Sequence, residues 1–175
     1  MQVNRVVVGV SGSAGSLRAL RFAAALAGRE NAVLMPVLAW TPPGGELADR
    51  RFPCPELRAS WVRDARERLE QAIRLAFGGP PEGVEFEPRT VRGEAGPALA
   101  SIAAEPGDLL VVGAGRHGWW RRLTACHVAG YCVGHSRCPV IAVPPGRLAD
   151  GPHGLRAWMD RHRVQPEDAL LGGGT

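Results

Sequence analysis

Apolar and polar positions along the chain fall into blocks, and the period changes from block to block. Val3–Val10 (VNRVVVGV) ends in a near-continuous β-branched run, which predicts a strand buried on both faces of a parallel sheet. Ser11-Gly12-Ser13 predicts a turn with Ser13 as N-cap. Behind it Leu17, Leu20, Ala24 and Ala27 share one helical stripe, Arg18 and Arg21 stand off it, and Gly28 suits the exit.

Ala32–Trp40 predicts a second strand, with a local defect at Pro36, and Thr41–Pro55 a Pro- and Gly-rich loop. Glu56–Phe77 has the clearest helical period, with Leu57, Trp61, Ala65, Leu69, Ala72, Ile73 and Ala76 on one side. Its charged face, including Arg68, is expected in solvent with i,i+4 pairs Asp64–Arg68 and Glu70–Arg74. Val84–Val91 alternates and contains Pro88, as an edge strand can. Pro97–Ala104 predicts a short helix, Leu109–Val112 a buried strand, Thr124–His135 a helix and Val140–Val143 the last strand. From Arg147 the strand pattern stops. Residues 147–175 are expected to form a tail with a short helix over 155–163, beyond a domain at 1–146.

Five strands alternating with four helices predict one α/β domain, a doubly wound parallel sheet with helices on both faces. Ligands of such sheets sit beyond the carboxyl ends of the strands, where strand order reverses. Attention therefore falls on Ser11–Ser13, Trp40–Gly45 and Gly113–Trp120.

Composition narrows the chemistry. The chain has 175 residues, 45% hydrophobic and 22% charged, a balance that disfavours disorder. No apolar run reaches the roughly 20 residues that cross a bilayer, and no secretory signal pattern opens the chain, so a cytoplasmic protein is expected. All 21 basic residues are arginine, which excludes a Walker A lysine and a Schiff-base lysine. A net charge of +4 is modest for a nucleic-acid binder, and nucleic acid is not the expected partner.

Three blocks then carry a resemblance. They are Val8-Gly9-Val10-Ser11-Gly12-Ser13 with Ser16, Ala19, Leu20 and Ala23; Asp108-Leu109-Leu110-Val111-Val112-Gly113; and His135-Ser136-Arg137-Cys138-Pro139-Val140. Over about residues 1–146 the chain resembles a universal stress protein. The resemblance implies a Rossmann-like sheet of order 3-2-1-4-5, similar to adenine nucleotide alpha hydrolases. It also implies a homodimer joined by Val140–Val143 and, in some members, ATP in the crevice between strands one and four. The site it implies comprises Val10, Ser11, Ala39, Gly113, Gly115, Arg116, Gly118, Cys126, His127 and Val128, with Gly113 and Arg116 at the phosphates, Ser11 at the nucleoside and Cys126-His127 at the helix start.

ATP-binding members carry an aspartate after strand one and a glycine-rich pattern after strand four. Counted back from Cys138-Pro139, Gly113 keeps the first glycine, whereas Arg116, Cys126 and His127 replace the second glycine, the third glycine and the hydroxyl residue. Ser11 replaces the aspartate. A slipped register through Gly115 and Gly118 reaches Val128 instead of a glycine. A lost hydroxyl costs about 0.5–1.5 kcal/mol and a lost charged acceptor about 1.5–3 kcal/mol, together roughly two decades of affinity. Arg116, Arg121 and Arg122 oppose that loss by offering cations to phosphate. Three functions stay open: an adenine-nucleotide module, a nucleotide-free interaction module using the 116–122 loop, and a weak ATPase.

Other chemistries find less support. Cys126, His127, Cys132, His135 and Cys138 lack close C-x-x-C pairs, so the cysteines are expected as core thiols and no metal site is assigned. Cys126 could also be a redox sensor, since a helix start lowers a thiol pKa. No G-x-S-x-G elbow is present, and Asp49 and Asp64 are expected in a loop and on a solvated helix, so no catalytic residue is assigned. Trp119 and Trp120 are expected to fold down on the domain.

Overall fold

Val6, Val7 and Val8 are 0% exposed, because the strand that carries them lies in the middle of the sheet. In the computed structural model, which describes residues 2–114 and 125–144 with side chains from Val128 onward in the second stretch, that strand is β1 (Arg5–Gly9). It is paired in parallel on one side with β2 (Val33–Trp40) and on the other with β4 (Asp108–Gly113). β3 (Arg89–Arg92) extends the sheet beyond β2, and β5 (Val140–Val143) extends it beyond β4. The order is β3-β2-β1-β4-β5, all parallel, as the resemblance implies. The tail 147–175 with its expected helix at 155–163, and Trp119 and Trp120, lie outside the described residues.

The chain runs from β1 outward to β3 through α1 (Ala14–Glu30) and α3 (Pro55–Phe77), which pack on each other. It then crosses back to β4 and β5 through α4 (Ala95–Ile102) and α5 (Ala125–His135), which pack on each other in turn. Right-handed crossovers in opposite directions put these pairs on opposite faces, and the winding reverses between β1 and β4. At the amino end of the sheet Arg5 grips Asp108 bidentately, at 2.9 and 2.8 Å, and Asp108 also accepts the Glu105 N–H at 2.9 Å. The aspartate of the second sequence block thus fastens β1 to β4 at the end away from the crevice.

Several boundaries differ from expectation for local reasons. Ser13 caps α1 as predicted, accepting the Ser16 N–H at 3.2 Å, but the helix passes Gly28 and leaves at Asn31, which takes a left-handed φ of 53°. Asparagine tolerates that conformation better than most non-glycine residues. The register puts the missing amide of Pro36 opposite Glu87, between the isolated bridge Leu34–Phe86 and the β3 ladder. One ladder bond is lost there, and β3 is shorter than the expected 84–91. α4 begins at Ala95, two residues before Pro97, and lies so close to α5 that a Cβ on Gly96 would stand 2.9 Å from the Tyr131 ring.

The expected 41–55 loop contains a helix, α2 (Gly45–Arg51), and Asp49 is a buried member of it. Of the two expected i,i+4 pairs, Arg74–Glu70 forms at 3.6 Å, while Arg68 has no carboxylate partner among the described residues. Leu57, expected on the buried stripe of α3, is exposed. Cys132 is wholly buried and Cys138 packs against the same cluster. Burial pushes both thiols up, as suits the core role expected of them.

Candidate functional site

Strand β1 ends at Gly9, and Val10–Ser13 turn the chain at once into α1, so the first turn of that helix faces the carboxyl ends of β2 and β4. A network of serines holds the turn. The Ser11 N–H donates to Ser16 Oγ at 3.2 Å, and Ser16 Oγ donates to the Ser13 carbonyl at 2.9 Å. The Ser11 hydroxyl donates to Ser13 Oγ at 3.1 Å. These bonds tie the turn to itself and engage the hydroxyl protons of Ser11 and Ser16 within it.

Opposite, a Cβ on Gly113 would stand 2.8 Å from the Gly15 carbonyl oxygen and 3.1 Å from the Ser16 nitrogen. The absent side chain lets β4 and the first turn of α1 come into backbone contact. Beside this contact lies a cleft of about 200 Å³ at the switch between β1 and β4. Gly9, Val10, Ser11, Ser13, Gly15 and Ser16 line it from the first turn, Val37 and Ala39 from β2, and Val112 and Gly113 from β4. Ala95 and Leu99 of α4, Val128 of α5 and Arg68 of α3 complete the wall. Arg68 is its one cation, and no carboxylate belongs to it, among the described residues.

The structure therefore brings together Val10, Ser11, Ala39, Gly113 and Val128 of the sequence-predicted site. Gly115, Arg116 and Gly118 lie outside the described residues, and Cys126 and His127 stand in the first turn of α5 with side chains outside them. Ser13, within the Ser11–Ser13 turn to which the sequence points, joins the wall, whereas the sequence reading missed Arg68, which periodicity assigns to solvent. Its only signal was adjacency to Leu69, whose burial directs that turn of α3 toward the sheet.

A second polar constellation lies at the same end of the sheet. Arg92, the last residue of β3, donates to both Glu46 oxygens and to Asp49 Oδ2 at 2.6 Å, and Arg58 donates to Asp49 Oδ2 at 2.9 Å. The Arg92 guanidinium also lies 5.9 Å from the centroid of Trp40. The hydrogen bond from Arg92, ahead of that from Arg58, holds Asp49 below the usual carboxylate range. Arg92 does the same to Glu46. These contacts bind α2 to β3 and α3.

Cys132 and His135, three apart on α5, do not converge. Cys132 Sγ faces the Gly96 carbonyl at 3.9 Å, whereas the His135 ring stacks on Tyr131 with centroids 4.1 Å apart. Among the described residues no three His, Cys, Asp or Glu side chains gather as a metal site would need, and no helix is long and apolar enough to cross a membrane.

A family model described as the universal stress protein family matches residues 2–144. A universal stress protein solved in complex with cAMP is 26% identical, with 82% of this chain and 98% of that one covered at a TM-score of 0.51. A universal stress protein from Archaeoglobus fulgidus is 22% identical over 82% and 99% of the two chains at 0.58. UspA from Lactobacillus plantarum is 18% identical, again over 82% and 99%, at 0.58. The last two show the shared fold. No curated protein matches.

Proposed function

The chain belongs to the universal stress protein family, and from that premise we propose that it is a stress-response binding module that holds an adenine nucleotide in the cleft between β1 and β4. The observation that carries this reading is the convergence of Val10, Ser11, Ala39, Gly113 and Val128 on one cleft at the strand switch. The 26% identical structure in complex with cAMP supports the ligand class. Apolar Val10, Ala39 and Val128 suit a purine, and the first turn of α1 presents backbone amides to an anion. Were ATP the nucleotide, Gly115, Arg116, Gly118, Cys126 and His127 would stand around its outer phosphates. The module works without chemistry on its ligand, in the cytoplasm, as a homodimer through β5.

A nucleotide-free interaction module is the second reading. It is favoured by Arg116, Cys126 and His127 standing where ATP-binding members have glycine or a hydroxyl. Isothermal titration of the full chain with MgATP, AMP and cAMP separates the two. Saturable heat that Ser11→Trp abolishes is the expected result, because the indole fills the cleft mouth while the Ser11 backbone bond to Ser16 is kept. Absence of heat with all three nucleotides overturns nucleotide binding and leaves the interaction module.

A further inference from the structure

The arginines of α3 are not equivalent. Arg58 and Arg74 rest on carboxylates, as do Arg89 and Arg92 of β3. Arg63, Arg66 and Arg68 have no such partner among the described residues, and of these three only Arg68 lines the cleft. We propose that Arg68 is the phosphate anchor of the cleft and selects adenine nucleotides that carry a single phosphate beside the ribose. This inference rests on the nucleotide reading above and adds to it the residue and the phosphate class.

The chemistry follows from what else the wall offers. The Ser11 hydroxyl donates to Ser13, and Ser16 Oγ donates to the Ser13 carbonyl, so both protons are engaged within the turn. Arg68 is the one full positive charge in the described wall, and no carboxylate neutralises it. A guanidinium stays charged at every physiological pH and presents a planar fork that matches two oxygens of one phosphate. One fork fits one phosphate. The described wall of the cleft offers no second cation for further phosphates.

The test is isothermal titration of the full chain and of Arg68→Ala and Arg68→Lys with adenosine, AMP, cAMP and ATP, at low and high salt. Arg68 is exposed on α3, so alanine keeps the helix, and unchanged melting verifies that. In Arg68→Ala, AMP and cAMP are expected to weaken about ten-fold while adenosine changes by less than about two-fold. Arg68→Lys falls between, and the salt dependence of AMP binding disappears with the arginine. The wild type is expected to hold AMP more tightly than ATP. Equal weakening of adenosine and AMP makes Arg68 a packing residue and overturns the anchor, as does AMP binding that ignores the substitution. Tighter binding of ATP than of AMP overturns the selection. Binding of none of the four ligands overturns the cleft as a nucleotide site, and the anchor with it.

Discussion

Gly113 is set at the point where β4 meets the first turn of α1, and its missing side chain has a cost that can be measured. A Cβ there would meet backbone, the Gly15 carbonyl oxygen and carbon at 2.8 and 2.9 Å, which cannot swing aside as a side chain can. Gly113→Ala is therefore expected to lose about 1–3 kcal/mol through forced separation of β4 and α1. Gly130→Ala, in α5 with nothing within 4 Å of the new carbon, is expected to be neutral or to gain up to about 1 kcal/mol. Thermal melts of the two variants check this, and equal losses would show that the contact at Gly113 is not close. The glycine itself was legible in the sequence as part of a motif. Its structural reason was not, because a motif says that a backbone approaches something without saying what. Arg68 was illegible for a different reason. Helical period reports where Cβ points, and a long arginine at the margin of the buried stripe can reach from that margin into a cleft.

Among elements, α2 shows where reading by pattern ends. The strands were found because runs such as Val6–Val8 and Leu109–Val112 need no context to look buried, and α3 because its stripe repeats for 23 residues. α2 has seven residues, starts on Gly44 and Gly45, both at φ 83°, and has one buried residue, Asp49. Nothing periodic marks it. Arginines from α3 and from β3 hold it through Asp49 and Glu46. That dependence gives a pH signature. Both carboxyls are held below their usual range, Asp49 and Glu46 each chiefly by the hydrogen bond from Arg92, so the unfolded chain binds those protons first on acidification. Their stabilisation is complete above the ordinary carboxylate pKa of about 4 and is lost as pH falls through the lower folded values. Asp49→Asn is thus expected to melt earlier than the wild type at neutral pH, with the gap narrowing on acidification below about pH 4. Melting curves across that range check it, and a gap that stays constant to about pH 3 would show that Asp49 keeps no depressed pKa in the folded chain.

At the scale of the molecule, the sheet ends in two edges of unlike character. β3 is flanked by Pro88 and carries Arg89 and Arg92, the kind of charge and proline that discourage pairing between edges. β5 reads Val-Ile-Ala-Val between Pro139 and Pro144 and carries no charge. The Leu110 N–H donates to the Pro139 carbonyl and the Ala114 N–H to the Val143 carbonyl. With Leu110 opposite Val140, this alternation turns residues 139, 141 and 143 toward β4 and directs the amides of Val140 and Ala142 outward. An outward row on an uncharged strand is what a two-fold contact with a second copy would use, each β5 pairing with its mate in an isologous interface. Ala142→Pro removes one outward donor without touching the β4 ladder, whereas Ala142→Val keeps the donor and favours the strand. In sedimentation at micromolar concentration the wild type and Ala142→Val are expected as dimers and Ala142→Pro as a monomer. A monomeric wild type would remove the dimer from the proposal, and a dimeric Ala142→Pro would move the contact to another surface. Because the cleft opens between β1 and β4, one strand in from this edge, nucleotide titration of the monomeric variant also tells whether each copy binds its ligand alone. Unchanged affinity there is expected, since no residue of β5 belongs to the described cleft wall.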